Sequence, residues 1–128
     1  MHDDSDPRGS AVGDRLRHPV ADRVAERDQT EQSQHTLVVV AIHWGIELDT
    51  VPRAYQVTLA EEMVAAGADV IFGHHAHRLQ PLDLVGGRPV FYGLGNFVWP
   101  RLSAAGSRTA VARVEVAPDG TLTASLVP

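Results

Sequence analysis

Two short apolar runs lie in the middle of the chain, with a helical pattern between them. The first run, TLVVVAIHWG, begins at Thr36 and is rich in β-branched residues, and the second, DVIFG, begins at Asp69. Such runs are typical of strands that are buried on both faces of a parallel sheet. The segment between them, TVPRAYQVTLAEEMVAAGAD, has the apolar spacing of an amphipathic helix. The order strand, helix, strand predicts one right-handed βαβ unit.

The end residues of the helical segment predict where the helix begins and ends. Thr50 is a potential N-cap, and Pro52 suits a position near the helix start. Gly67 is expected to end the helix, since glycine readily adopts the backbone conformation of a C-terminal stop. We expect the apolar stripe of this helix to belong to the core, and its members are Tyr55, Leu59, Met63 and Ala66.

The pattern changes on both sides of the βαβ unit. Residues 1–18 carry charges, glycine and proline without an apolar period, so we expect them to be disordered or loosely attached. Residues 19–32 predict a short amphipathic helix. After the unit, RPVFYGLGNFVW predicts a third strand entered through the turn VGGRP, and TAVARVEVAPDGTLTASLV predicts a β-hairpin. The chain is therefore predicted to have an α/β fold, with residues 19–128 in one domain.

Composition limits the partners and the metal sites that the chain can have. The 128 residues, of which 44% are hydrophobic, suit one globular domain. The formal net charge of −5 argues against nucleic acid as a partner, because nucleic-acid-binding proteins carry basic patches. There is no cysteine, so a metal would have to bind to histidine, carboxylate or amide groups. The longest apolar run, residues 37–42, is too short for a membrane span, and the acidic amino terminus is no secretory signal. We expect a soluble chain as translated and leave its localisation open.

Histidines follow both predicted strands, at the edge of the sheet where α/β proteins usually bind ligands. His43 follows the first strand, and the sequence GHHAH places His74, His75 and His77 after the second. Because parallel strands end at the same edge, we expect these imidazoles to converge. If the chain stays extended past Gly73, His75 and His77 point to one side and His74 to the other. Imidazole is the commonest neutral metal ligand, so His43, His75 and His77 predict a transition-metal site.

Other residues near this edge have two interpretations each. Glu47 is either a solvated loop residue or an acceptor for the second ring nitrogen of a ligand, and Asp49 is the other nearby acid. Asn96, in GLGNF, is either a turn residue or a site residue. Trp44 is favoured as a packing residue over a substrate platform. Asp69 begins its strand at the wrong end and is excluded. Three histidines in the polar amino-terminal part are expected to have no role in the site: His2, His18 and His35.

Two other histidine chemistries do not fit the sequence. A metallo-β-lactamase-type site requires His-x-His-x-Asp-His, but leucine and glutamine stand at positions 79 and 80. A Ser-His-Asp hydrolase requires a serine in a glycine-rich elbow after a strand, which is absent. A single histidine at a strand end is usually only a hydrogen-bonded polar residue. The metal hypothesis therefore depends on the convergence of three.

Four motifs, in this order within residues 37–99, carry a family likeness: HWGIE, LAEEMVAAGADVIFGHHAH, LQP and YGLGNFV. They resemble the CapA-type proteins of bacterial poly-γ-glutamate capsule synthesis, which belong to the calcineurin-like metallophosphatase superfamily. The resemblance implies the carboxyl-terminal half of a metallophosphatase sandwich. It also implies that His43, His75 and His77 help to hold two divalent ions, Mn, Fe or Zn, which activate water for attack on a phosphoester-like small-molecule or polymer substrate. His74 is taken as the catalytic candidate, with Glu47 and Asn96 as residues that assist the ligands or the substrate.

The sequence departs from the family pattern in two places. Gly93 stands where the family usually has serine, and nothing before His43 matches the amino-terminal motifs Asp-x-His and Gly-Asn-His-Asp/Glu or its Asn-Asn-His variant. Gly13-Asp14 matches the short motif Gly-Asp, but no apolar run that would predict a buried strand precedes it, so we count this match as chance. We therefore expect the metal-binding carboxyl-terminal part of a larger domain, inactive as an isolated chain and with apolar sheet surface exposed. Two alternatives remain: a degenerate, non-catalytic interaction module that associates as a homo-oligomer, and one half of a split enzyme completed by a complementary amino-terminal chain. Members of the family are often anchored outside the cytoplasmic membrane.

Overall fold

A computed structural model describes residues 37–98 and 103–128 of the chain. The predictions for residues 1–18 and 19–32 lie outside this part. The described elements are strand β1 (Val39–His43), helix α1 (Ala54–Ala65), strands β2 (Val70–His74), β3 (Leu82–Val85) and β4 (Arg88–Phe91), a 3₁₀ turn (Ala105–Ser107), and strands β5 (Val111–Val116) and β6 (Leu122–Val127). Four strands form one sheet in the order β1-β2-β4-β3, and β5 and β6 form a second. The predicted α/β fold is confirmed at this level.

The βαβ unit is confirmed. β1 and β2 pair in parallel, with Val39 opposite Val70 and His43 opposite His74. α1 covers one face of the sheet, where Val40 and other apolar residues form the core. The expectation that β1 is buried on both faces is wrong, because Val39 on the opposite face is 47% exposed.

Helix α1 is shorter than its sequence pattern and begins at a different cap. The N-cap is Arg53, not Thr50, and the backbone N–H of Arg53 donates to Gln56 Oε1 at 2.8 Å. The predicted stop at Gly67 is confirmed. Its φ of 110° lets its N–H donate to the carbonyl oxygen of Val64, while the next residue donates to that of Met63. These two bonds form a Schellman motif.

The buried stripe of α1 matches the prediction in the middle of the helix, but at the amino-terminal end it includes residue 56 instead of residue 55. Leu59 and Met63 are buried as expected. Tyr55 is 51% exposed, and its hydroxyl accepts a hydrogen bond from the N–H of Gly45 at 2.6 Å. The side chain that faces the core at the start of the helix is Gln56, which is fully buried. Tyr55 therefore ties the helix start to the loop after β1 and is not a core residue.

Strand β3 was not predicted. The third strand that the sequence predicted, RPVFYGLGNFVW, corresponds to β4 and is shorter than expected. β3 pairs with β4 in an antiparallel hairpin whose two turn residues, Gly86 and Gly87, have φ of 54° and 77°. Two successive positive φ values are typical of a type I′ hairpin turn. The four residues of β3 are too few for a clear alternation. β4 ends at Phe91, and beyond it Leu94 forms an isolated bridge with Leu79.

The carboxyl-terminal hairpin is confirmed as β5 and β6, with six paired positions. Its turn follows the predicted signal, since Gly120 has a φ of 84° and Asp119 Oδ1 accepts a hydrogen bond from the N–H of Thr121. The hairpin lies against β4 through β6. Within residues 37–98 and 103–128, no helix is both long enough and apolar enough to cross a lipid bilayer.

Candidate functional site

The ends of β1 and β2 bring the first two histidines of the site together. His43 and His74 are register partners in the parallel pair, and their rings meet edge to face with centroids 5.1 Å apart. The pairing continues one residue further, because the N–H of Trp44 donates to the carbonyl oxygen of His74 at 3.0 Å. The parallel register therefore places two imidazoles side by side at the edge of the sheet.

The chain stays extended only as far as His74, so the predicted alternation of side-chain directions is wrong for His75 and His77. His75 and His77 have φ of 111° and 52°, and the segment turns instead of continuing β2. The turn is held by the loop after β1, in which the N–H of Leu48 donates to the carbonyl oxygen of Ala76 at 2.8 Å. Non-glycine residues with positive φ are uncommon and strained, by roughly 1–3 kcal/mol each, and such residues cluster at functional sites.

The turn nevertheless brings the imidazoles together. The His75 ring is 4.2 Å from that of His43, with a tilt of 41°, and the His77 ring is 6.4 Å from that of His75. His74 also belongs to this group, contrary to the expectation that it faces away. We call these four residues the imidazole cluster. His43 and His74 are exposed, and the other two are half-buried.

Asn96 orients one ring of the imidazole cluster. Its Oδ1 lies 2.6 Å from His77 Nδ1. Its Nδ2 donates to the carbonyl oxygen of Gly106 at 3.0 Å, so the amide oxygen is the atom that faces the ring. His77 therefore donates from Nδ1, and a neutral ring of this tautomer has its lone pair on Nε2. An acceptor of this kind is what a metal-binding histidine requires.

The two acidic candidates lie in other surroundings. Glu47 is exposed, and within the described residues it makes no hydrogen bond to an imidazole. Asp49 forms an ion pair with Arg53 at 2.5 Å. The acceptor that the structure provides for a ligand ring is thus the amide of Asn96.

Trp44 is a packing residue, as predicted. It is 5% exposed, its ring stacks on Tyr92 with centroids 5.5 Å apart, and its Nε1–H donates to the carbonyl oxygen of Tyr92 at 2.9 Å. The indole crosses directly over Gly73, where a Cβ would collide with the indole nitrogen and with that carbonyl. Gly73 is therefore required for β2 to pass under Trp44 just before the imidazole cluster.

The electrostatics of the site are set by the histidines themselves. The pKa of His43 is lowered, first by desolvation and then by repulsion from the other three imidazoles of the cluster. A lowered pKa favours the neutral ring near neutral pH, and the neutral ring is the form that binds a metal ion.

The donor chemistry of the cluster suits a metal, but its arrangement is incomplete. Imidazoles that share one ion have ring centres about 4.5–6.5 Å apart, given metal–nitrogen distances of about 2.0–2.1 Å. The observed ring separations of 4.2–6.4 Å are similar to this range. In the described part of the chain, however, no group of three or more histidine, aspartate or glutamate side chains is arranged to hold an ion. Ring rotation or a further ligand is therefore needed.

Sequence reasoning missed two polar residues beside the cluster. Arg78 donates from Nη1 to the carbonyl oxygen of His77 at 2.8 Å. Gln80 is 3% exposed and donates from Nε2 to the carbonyl oxygen of Asp49 at 3.0 Å, which fastens the loop after β1 to the segment after β2. Arg78 and Gln80 lie shortly after the histidine motif, and their polarity within RLQP is the signal that could have identified them.

Comparison with known proteins gives consistent relatives. The model of the family "Bacterial capsule synthesis protein PGA_cap" matches residues 3–101. The capsule biosynthesis protein CapA of Bacillus anthracis is 37% identical over 106 residues, which are 83% of this chain and 26% of that protein. The PGA biosynthesis protein CapA of Bacillus subtilis is 48% identical over 71 residues, 55% of this chain and 19% of that protein. A probable polyglutamine synthesis accessory protein of Mycobacterium tuberculosis is 29% identical over 87 residues, 68% of this chain and 23% of that protein. The chain thus spans about a quarter of the length of these relatives.

Proposed function

Because the chain belongs to the bacterial capsule synthesis protein family PGA_cap, we propose that it serves the synthesis of capsular poly-γ-glutamate through a metal-dependent, phosphoesterase-like site. Support for a role in capsule or poly-glutamate synthesis comes from the relatives, which are named as proteins of capsule, PGA and polyglutamine synthesis. The metal-dependent chemistry is proposed in addition to this role. We propose with it that the fold is the carboxyl-terminal half of a metallophosphatase sandwich.

One observation carries the metal proposal: the His75 ring, just after β2, lies 4.2 Å from the His43 ring at the end of β1 and 6.4 Å from the His77 ring. His43, His75 and His77 are the proposed ligands of a divalent ion, Mn, Fe or Zn. A bound divalent ion would polarise a phosphoryl oxygen and lower the pKa of a water molecule. Asn96 holds the His77 ring in one tautomer. Trp44, which follows His43 directly, is buried and stacks on Tyr92.

His74 is the proposed proton carrier. It is exposed and lies edge to face with His43 at 5.1 Å, so it can exchange protons with solvent beside a ligand ring. Neutral imidazoles alone do not neutralise a pair of divalent ions. A carboxylate ligand from outside the described residues, in this chain or in a complementary one, would complete a dinuclear site.

The proposal is tested by metal binding. We expect the full chain to bind Zn²⁺ or Mn²⁺ in isothermal titration calorimetry, and His43→Ala or His77→Ala to weaken binding by at least about tenfold. His18→Ala, a histidine for which the sequence predicts no role in the site, serves as the control. Phosphatase activity with Mn²⁺ is then compared between this chain and a version extended by the upstream reading frame. An active extended protein that tolerates His43→Ala and His77→Ala would contradict the site assignment.

Asn96 provides a finer test of the same site. Asn96→Ala removes the acceptor of His77 and should weaken metal binding by about 10- to 100-fold. Asn96→Asp keeps an acceptor at the same position and should retain most of the affinity. The two variants are compared by the same titration, with thermal unfolding as a check on folding. Equal affinity of the alanine variant and the unmodified protein would show that Asn96 does not act on a ligand.

A second candidate function is supported by the incomplete arrangement of the donors. A non-catalytic interaction module would keep the fold and the cluster without holding a metal, and no complete metal group is present among residues 37–98 and 103–128. Metal analysis after gentle purification separates the candidates. Stoichiometric metal that is lost in His75→Ala favours the metal site, whereas absence of metal and of titratable binding favours the module.

A further inference from the structure

Arg78 directly follows the imidazole cluster in sequence, and its guanidinium is held beside it. Nη1 donates to the carbonyl oxygen of His77 at 2.8 Å. The same nitrogen lies against the 3₁₀ turn, where a Cβ on Gly106 would be 3.4 Å away. The Arg78 side chain is half-buried, and its remaining N–H groups make no hydrogen bond to the described residues. A fixed cation with unused donors therefore stands at the edge of the candidate site.

Arg78 differs from most of the other described arginines in its ion pairing. The described residues include five arginines, and three of them pair with carboxylates: Arg53 with Asp49, Arg88 with Asp69, and Arg113 with Glu115. Arg78 has no carboxylate partner within residues 37–98 and 103–128. Arg108 also lacks one there, but it is exposed, where solvation stabilises an unpaired charge.

An unpaired, partly desolvated guanidinium suits an anionic ligand. Its planar fork of donors matches the two oxygens of a carboxylate or of a phosphoryl group, and charge-assisted bonds of this kind are the strong ones. Asp49, in the loop after β1, is paired with Arg53, and none of the ion pairs among the described residues includes Glu47. An arginine in this position is notable in a chain whose formal net charge is −5.

We propose that Arg78 binds an anionic group of the ligand that occupies the candidate site. The class of ligand rests on the proposed function: the shared chemistry is an oxyanion, either a carboxylate of the γ-linked glutamyl polymer or a phosphoryl group. The cationic subsite itself does not depend on a metal. Arg78 would hold one oxyanion of a polymer or ester while the imidazole cluster faces the neighbouring bond.

The test measures binding of a fluorescently labelled poly-γ-glutamate oligomer to the full chain by fluorescence anisotropy at low salt. Arg78→Gln should weaken binding by about 10- to 100-fold. Arg78→Lys should have a smaller effect, because it keeps the charge and loses the fork. Arg113→Gln removes the same charge on β5 and should leave binding unchanged. Competition with inorganic phosphate separates the two oxyanions, and uncharged polyglutamine should not compete.

The outcomes distinguish this inference from the proposed function. If the chain binds no metal but binds the anion in a manner that depends on Arg78, only the proposed metal site is contradicted. Equal oligomer and phosphate affinities in the unmodified protein and Arg78→Gln, or no affinity for either anion, would overturn the role of Arg78. If Arg78→Gln does not fold, the anion affinity of Arg78→Lys is compared with that of Arg113→Gln. Equal affinities of these two variants would also overturn the role of Arg78.

Discussion

Gly73 shows how one residue without a side chain permits the site to form. It lies on β2 just before the imidazole cluster, where the Trp44 indole and the Tyr92 carbonyl leave no room for a Cβ. Gly73→Ala should lower the free energy of unfolding by about 2–3 kcal/mol, since rigid groups would have to shift. Gly106→Ala is the control, because its nearest neighbours are side-chain ends of Ser103 and Arg78. Urea unfolding measures both, and equal stabilities of the two variants would contradict the packing described.

Gly93 offers a comparison of two substitutions, both of which would place a Cβ 3.0 Å from the carbonyl oxygen of Arg78. Gln80 Oε1 is buried without a hydrogen-bond partner, and a Cβ on Gly93 would lie 3.1 Å from it. Gly93→Ser adds a hydroxyl that can donate to this oxygen, whereas Gly93→Ala adds only the close contact. The serine variant should be more stable than the alanine variant by about 1 kcal/mol. Thermal unfolding of the pair checks this, and a serine variant no more stable than alanine would show that Gln80 is already satisfied.

At the scale of elements, the end of α1 depends on the conformation of Gly67. Its φ of 110° is unfavourable for any residue with a Cβ, and the Schellman bonds require it. Gly67→Ala should therefore destabilise the protein by about 1 kcal/mol. Ala65→Gly, in the last turn of the helix, tests ordinary helix propensity and should cost a similar amount by another route. Combining the two would show additive losses in urea unfolding if the cap and the helix interior act independently.

The sequence predicts the order of the elements better than their ends. Long apolar runs and a helical period identify β1, α1 and β2, and parallel pairing then makes the convergence of His43 with the second histidine group predictable. The turn after His74 was not predictable, because it depends on contacts such as that between Leu48 and Ala76, which are distant in sequence. The helix cap at Arg53 depends likewise on the tertiary position of Gln56.

At the scale of the whole molecule, one face of the main sheet is exposed and apolar. Phe97 and Val98 are 80% and 84% exposed, and Val39 and Val111 are exposed as well. Phe97 and Val111 line a groove of about 440 Å³ next to Phe72. The expected exposure of apolar sheet surface is thus observed in the described part of the chain. A surface of this kind favours association of the protein with itself.

We therefore expect concentration-dependent association of the purified chain. Phe97→Ser with Val98→Ser should reduce it, because the change removes the most exposed apolar side chains without touching the core. Val57→Ser, a less exposed apolar residue on α1, is the matched control. Sedimentation velocity over a range of concentrations measures the effect. A monomer at all concentrations before mutation would contradict the expectation.

The proposed function requires that His43, His75 and His77 bind one divalent ion at the edge of the sheet. X-ray absorption spectroscopy of the Zn²⁺-loaded full chain can test this, because it counts the imidazoles around the metal. We expect three imidazole nitrogens at about 2.0–2.1 Å. A zinc ion surrounded by oxygen alone, or a spectrum unchanged in the His43→Ala variant, would contradict it.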